Sequence, residues 1–464
     1  MKISFHGAAR TVTGSKHLIQ TQNGARILLD CGLFQGMEGH DEVLNHQWGF
    51  DPATVDVVVL SHAHIDHIGL LPKLVREGFS GPIWCTPATQ PLVAVLLLDS
   101  AEIQEADIRH RRKNANGDYQ PVASPLYTVE DAQQVLTQLK TVDYKTEQEI
   151  AGGVTLYYTD SGHILGSAAI NLTIRESKKT TRLTFSGDIG QYHDLILRAP
   201  QPFPEADVVI MESTYGNRDH AAPKPTEEAI LDHITETCVR NKGTLIIPAF
   251  SVGRTQEILF QLNDLYNKGL LPKLPVFVDS PMALEATKII KAYPEYFNST
   301  VTKQLRNDED VFDFPGLQFT ESVADSKSIN QVKDPCIIIA SSGMAEAGRV
   351  RHHIRSHIGN PASKILLVGY SEPRSLAGQL KSGAKQVRMF GDTYEVRCQV
   401  GSIDSMSAHG DRNDLLRWLS CQAGKPQVCL VHGELDAQEA LRNQLIENGF
   451  ERVHIPALHE TLDF

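Results

Sequence analysis

The sequence predicts an α/β protein. Three observations carry this: short β-branched runs closed by Gly, Asp, Asn or Ser, helical periodicity between them, and a regular strand–helix alternation from about residue 208 onward. With 464 residues, the chain has room for two or three domains of ~150 residues, each with its own core. Its 44 basic and 56 acidic residues give a net charge of −12, and 41% of residues are hydrophobic. That balance excludes a disordered chain, a fibre and a basic coat that grips nucleic acid by bulk charge. The longest apolar run, 92–98, is far short of the ~20 residues that span a bilayer, so no membrane partner is expected. The opening MKISFHGAAR has neither the apolar core nor the cleavage site of a signal peptide. Seven cysteines without a CxxC pair fit a reducing compartment, and a cytoplasmic location is expected.

In chain order, strand patterns occupy 2–5, 16–21, 26–29 and 55–60. A helical stretch at 68–75 follows, then helical periodicity over 89–105 and 129–139, separated by a polar stretch, 109–125, that reads as a loop. Strands resume at 154–159, 168–174 and 182–186, before a Pro-rich join at 198–204. Strands at 208–211, 244–248, 276–278, 336–340 and 364–368 then alternate with helical stretches such as 226–241 and 255–267, the pattern of a doubly wound module. From residue 386 strands return, with 428–431 and 452–455 flanking a helix at 437–447.

The nineteen histidines give the chemistry its location. In SerHisAlaHisIleAspHis (61–67), an apolar strand delivers His62 and His64 to a sheet edge, two residues apart and able to point the same way. Asp66 and His67 stand at the start of the following helix, where they could reach a second ion. Neutral imidazoles with a carboxylate suit zinc. Four further apolar strands end in Asp or His beside Gly: IleLeuLeuAspCysGly (27–32), TyrTyrThrAspSerGlyHis (157–163), LeuThrPheSerGlyAspIleGly (183–190) and CysLeuValHisGlyGlu (429–434). Each alone is commonplace. Together with the histidine cluster they predict convergence on one site at the strand ends.

HisxHisxAspHis followed by a lone His and a lone Asp resembles the metallo-β-lactamase-fold hydrolases, and the likeness extends to their β-CASP nuclease branch. Three further motifs carry it: Glu212 in MetGluSerThrTyrGly, His409 in SerAlaHisGlyAsp and His432 in ValHisGlyGlu. ProAlaPheSerValGlyArgThrGlnGlu (248–257) and AlaSerSerGlyMet (340–344) are further matches. The resemblance implies a metallo-β-lactamase αββα sandwich built from residues 1–207 and 396–464, with a doubly wound β-CASP domain inserted at 208–395. It implies two Zn²⁺ ions per chain, one held by His62, His64 and His163, the other by Asp66, His67 and His432, with Asp188 bridging them. Asp30 would orient an imidazole, and ions ~3.5–4 Å apart would share a hydroxide as nucleophile. His409, oriented by Glu212, would protonate the leaving oxygen.

At the inserted domain, Ser341, Ser342, Gly343 and Met344 precede a helical stretch and suit a phosphate oxygen; Arg254 suits either a phosphate or a structural ion pair. The basic clusters at 109–113 and 349–355 read as solvated faces rather than RNA tracks. The implied activity is hydrolysis of RNA to 5′-phosphate and 3′-hydroxyl ends by a ribonuclease that cuts endonucleolytically, with 5′→3′ exonuclease action open to the same site. RNA is the expected partner, and a homodimer is compatible with the sequence. A DNA nuclease and a small ester or thioester hydrolase are the alternatives.

Overall fold

Along β1 (Lys2–Phe5), Lys2 is exposed while Ile3 and Phe5 are wholly buried, the period-two pattern of a strand with one wet face. The computed structural model describes all residues except 37–39, 115–123, 178, 221–225, 370 and 404–405, and the side chains of 110–114 are also outside the description. The strand continues into a sheet with β2 (His17–Gln20), β3 (Arg26–Leu29), β4 (Val57–Val59), β5 (Ile83–Cys85) and β6 (Leu139–Thr141). They lie side by side in chain order, and the C-terminal strand Thr461–Asp463 pairs with β1 as a seventh member. A second sheet holds β7 (Glu147–Ala151), β8 (Val154–Asp160), β9 (Ala168–Glu176), β10 (Lys179–Phe185) and β11 (Val208–Glu212), extended by Gln427–Val431 and Val453–His454.

The inner faces of these two sheets share one core. Ile3, Phe5, Ile19, Ile27, Leu29 and Val59 meet Leu156, Tyr158, Ile170, Phe185, Ile210 and Val431. The outer face of the second sheet, with Val209, Met211, Val428 and Leu430, is covered by Leu415, Trp418 and Leu419 of helix Arg412–Leu419 and by Leu441 and Leu445 of helix Leu435–Glu447. This is the expected αββα sandwich. It forms one compact unit, Met1–Asp219 with His409–Phe464.

The second unit, His220–Ala408, is doubly wound. It comprises β12 (Leu245–Pro248), β13 (Val276–Asp279), β14 (Leu317–Phe319), β15 (Ile337–Ala340), β16 (Lys364–Val368), the hairpin β17 (Gln386–Met389) and β18 (Asp392–Glu395), and β19 (Gln399–Ile403). Its sheet runs β14–β13–β15–β12–β16–β19 with every pair parallel.

Two expectations need correction. The strand at 208–211 was expected to open the inserted module, yet β11 is paired in parallel with both β10 and Gln427–Val431 inside the sandwich. The Pro-rich join at 198–204 is therefore an internal connection of the first unit, and the chain leaves it after Asp219 rather than after 207; it returns at His409 rather than at 396, because β19 pairs with β16 in the second unit. The stretch 109–125 is not all loop. Helix Thr89–Asn114 runs into it, supported by the Arg109–Glu105 ion pair one turn apart at 3.2 Å. Beyond that bound, residues 115–123 lie outside the described residues.

Candidate metal centre

The site is built from strand ends of the first unit. Asp30 follows β3, His62 and His64 lie in the turn after β4, and Asp66 and His67 sit on the short helix Ile65–Ile68. His163 follows β8, Asp188 follows β10, Glu212 closes β11, and His432 follows Gln427–Val431. The chain re-enters the unit at His409, whose backbone bridges to Gly190. Two glycines permit the crowding: a Cβ on Gly32 would stand 1.5 Å from the Asp66 carbonyl oxygen, and one on Gly190 would stand 1.7 Å from that of Gly162. Asp30 and His432 both take left-handed backbone conformations, at φ 55° and 49°, which a non-glycine residue holds only where its surroundings compel it.

Three imidazoles form one cluster. His64 Nδ1 lies 3.1 Å from His62 Nε2 and 3.2 Å from His163 Nε2, and Asp188 Oδ2 is 3.5 Å from each of those two Nε2 atoms. A second cluster adjoins it. His67 Nε2 lies 3.2 Å from His432 Nε2, which is 3.3 Å from Asp66 Oδ2. Asp188 Oδ1 is 3.3 Å from His67 Nε2 and 3.6 Å from His432 Nε2. One carboxylate thus turns one oxygen to each cluster.

The outward nitrogens are held from behind. His67 Nδ1 is 2.7 Å from Asp30 Oδ2. Ser61 donates to the same oxygen through its hydroxyl at 2.8 Å, and that hydroxyl lies 3.0 Å from His62 Nδ1. Thr214 Oγ1 is 3.1 Å from His432 Nδ1. Beside the first cluster, His409 Nδ1 lies 3.2 Å from Glu212 Oε1, and its Nε2 is 3.9 Å from Asp188 Oδ2. Glu212, wholly buried, also accepts from the backbone N–H groups of Ile189 and Thr214 at 2.6 and 3.2 Å.

Burial and the neighbouring carboxylates act in opposite directions on the imidazoles. Burial lowers the His62 imidazole well below its usual range, and burial likewise brings His64 down to about 4. Burial would lower His67 too, but Asp188, Asp66 and Asp30 outweigh it and hold it well above that range. For Asp66 burial acts upward and is overcome by His67 and His432, bringing it to about 2. Burial would also depress His409; Glu212 and Asp188 reverse this and raise it to about 9.

The donors fit divalent ions. A tetrahedral ion with nitrogen at ~2.0–2.1 Å sets its ligands about 3.3 Å apart. The spacings of 3.1–3.5 Å in the first cluster match that edge, and the buried Oδ1 of Asp188 has no hydrogen-bond donor. Ring nitrogens and carboxylate oxygens gathered this closely suit divalent cations. Fold and donor set together define a metal-dependent hydrolase of the metallo-β-lactamase type.

Comparisons with known proteins agree. Residues 14–233 match the metallo-beta-lactamase superfamily, 255–380 the Beta-Casp domain, and 393–456 the Zn-dependent metallo-hydrolase RNA specificity domain. The chain is 35% identical to "Ribonuclease TTHA0252" of Thermus thermophilus over 453 residues, covering 97% of both proteins. It is 31% identical to an "RNase J-like protein" of Methanocaldococcus jannaschii, covering 93% of this chain and 92% of the relative. It is 30% identical to "Transcription termination factor FttA" of Methanosarcina mazei, covering 94% and 67%. The chain belongs to the β-CASP ribonuclease family of the metallo-β-lactamase superfamily.

The remaining candidate residues lie in the second unit. Ser341 Oγ is 2.6 Å from Ser251 Oγ and 3.1 Å from Ser280 Oγ, which places three hydroxyls together beyond β12, β13 and β15. The Ser342 hydroxyl donates to the Ala347 carbonyl at 3.3 Å, Gly343 is pressed against the Phe250 ring, and the Met344 sulfur accepts from the Glu372 N–H at 3.4 Å. Arg254 is buried and ion-paired with Glu257, the structural alternative of the two expected for it. In the 349–355 cluster, Arg349 is tied to Asp279 at 2.7 Å, while Arg351 and Arg355 lie over the Phe390 ring. Of the 109–113 cluster, only the Arg109 side chain is among the described residues. Sequence reasoning missed Ser61 and Thr214. Ser61 is next to His62 and Thr214 stands two residues after Glu212, and a hydroxyl there carries no signal until its partner ring is in view.

Proposed function

We propose that this protein is a two-zinc ribonuclease that hydrolyses RNA phosphodiesters to 5′-phosphate and 3′-hydroxyl ends. The Asp188 carboxylate, with one oxygen facing each histidine cluster, is the observation that carries this reading. In it, His62, His64 and His163 hold one ion, Asp66, His67 and His432 the other, and Asp188 serves both. When bound, the ions supply a nucleophile at neutral pH and charge that offsets the phosphoryl oxygens. The chain's own part is orientation and proton transfer. Asp30 fixes His67 directly and His62 through Ser61, so that each presents Nε2 to the centre. His409, held by Glu212, presents Nε2 as the proton donor to the departing 3′-oxygen. The hydroxyls around Ser341 and Ser342 and the backbone at Gly343 and Met344 are a second contact region for phosphate; Arg254, already paired, is not assigned to it.

RNA as substrate is supported by the names of the relatives and by the RNA specificity match, which contains both His409 and His432. The proposed mode is endonucleolytic cutting, with 5′→3′ trimming open to the same site. The experiment is digestion of matched 5′-labelled RNA and DNA oligonucleotides by zinc-loaded protein, with the end groups of the products identified. Internal cuts in RNA leaving 5′-phosphates are expected. Cleavage confined to DNA, or RNA products with cyclic or 3′-phosphate ends, would contradict the reading.

A further inference from the structure

The segment after Glu212 holds a cation whose neighbours have other partners. In SerThrTyrGlyAsnArgAsp (213–219), Asn217 donates to Asp436 at 3.0 Å, and Asp219 is engaged by Arg412 through two guanidinium contacts of 3.1 and 2.7 Å. Arg218 between them is exposed, and among the described residues no carboxylate lies within ion-pair distance of it. Its backbone is fixed, because the Arg218 carbonyl accepts from the Arg412 N–H at 3.1 Å and its N–H donates to the Tyr215 carbonyl at 3.2 Å. Its guanidinium carbon lies 4.6 Å from the centroid of the Tyr215 ring. Tyr215 is itself buried, and its ring stands edge-on to the His409 imidazole with centroids 6.2 Å apart.

An exposed, always-charged fork, spread over a buried aromatic ring beside the proton donor and paired with no acid, is pre-organised to receive an anion. In a chain of net charge −12, binding a strand of phosphates depends on local cations rather than on bulk charge. We propose that Arg218 binds a backbone phosphate of the RNA next to the scissile one and so sets which side of the cut the strand must continue on. The inference rests on the ribonuclease reading above. It adds that Arg218 is a side chain by which the site distinguishes a polynucleotide from an isolated phosphodiester. Arg218 touches a neighbouring phosphate and takes no part in bond breaking.

The test compares two substrates on the zinc-loaded full chain: a labelled RNA oligonucleotide and bis(p-nitrophenyl) phosphate, which has no neighbouring phosphate. Arg218→Ala should lower kcat/KM for RNA about tenfold more than for the small diester, mostly through KM, and Arg218→Lys should recover part of that loss. The salt dependence of the RNA KM should become shallower by about one phosphate contact in the alanine variant. Equal losses on both substrates, with a shifted pH profile, would mean that Arg218 only braces Tyr215 against His409, and that would overturn the proposal. So would an unchanged RNA KM. Wild-type protein that hydrolyses the small diester but no RNA would overturn the ribonuclease reading first, and the Arg218 assignment with it.

Discussion

His409 meets opposing demands. Burial disfavours its charged form, while Glu212 at 3.2 Å and Asp188 at 3.9 Å favour it strongly enough to raise it to about 9. A proton is thereby kept on a ring that faces the reaction centre from outside both histidine clusters. His409→Ala should leave the bound metal intact and slow RNA cleavage by ~10²–10⁴, the range of general acid catalysis. Asp188→Ala should do the reverse and lose metal, since it removes the carboxylate facing both clusters; metal analysis beside single-turnover cleavage separates the two. Unchanged cleavage in the first variant, or full metal content in the second, would contradict these roles. Residues of this kind were legible from sequence because a metal needs unusual donors close together, and His62, His64, Asp66 and His67 fall within six positions. Ser61, Thr214 and Arg218 were not. A hydroxyl or a lone guanidinium is common everywhere, and its meaning comes only from the ring it faces.

At the scale of elements, the second unit is tied together at Asp279, the last residue of β13. Its wholly buried carboxylate accepts from Thr320 and Ser326 at 2.5 and 2.6 Å and from Arg349 and His353 at 2.7 Å each, joining β13 to the helices Val323–Ile329 and Val350–His357. Burial pushes this carboxyl upward, but the donors from His353, Ser326, Thr320 and Arg349 prevail and hold it well below the ordinary aspartate range. The folded group therefore binds its proton less readily than the unfolded one. Its contribution is fully present above the unfolded value of ~3.9 and is lost as pH falls below that toward the folded value. Asp279→Asn should cost about 3 kcal/mol in urea denaturation at neutral pH, because Arg349 loses its counter-charge and the four donors lose a charged acceptor, and the difference from wild type should shrink below pH ~4. A constant difference across that range would remove the carboxylate's charge from the explanation. Strand existence was well read from sequence, whereas strand membership was not. The run 208–211 has the all-apolar character of any buried parallel strand, and periodicity cannot say which sheet such a strand joins.

Across the whole molecule, an acidic chain brings six of its nineteen histidines to one centre of the first unit. The chain's net charge is −12, yet the centre gathers five imidazoles around two carboxylates at the ends of separate strands, with a sixth, His409, alongside. The fold class was legible because the strand–helix alternation is local. That the strand ends converge could be inferred only from several weak signals agreeing, each an Asp or His beside Gly. The boundaries between units had no comparable marker, since a Pro-rich join looks alike inside a unit and between two. The most direct test of the proposed paired-metal centre is stoichiometric reconstitution. Chelator-stripped protein would be titrated with Zn²⁺ while cleavage of 5′-labelled RNA is followed. Cleavage should be absent at the start and rise to a plateau at two equivalents per chain; full cleavage by the stripped protein, or a plateau at one equivalent, would contradict it.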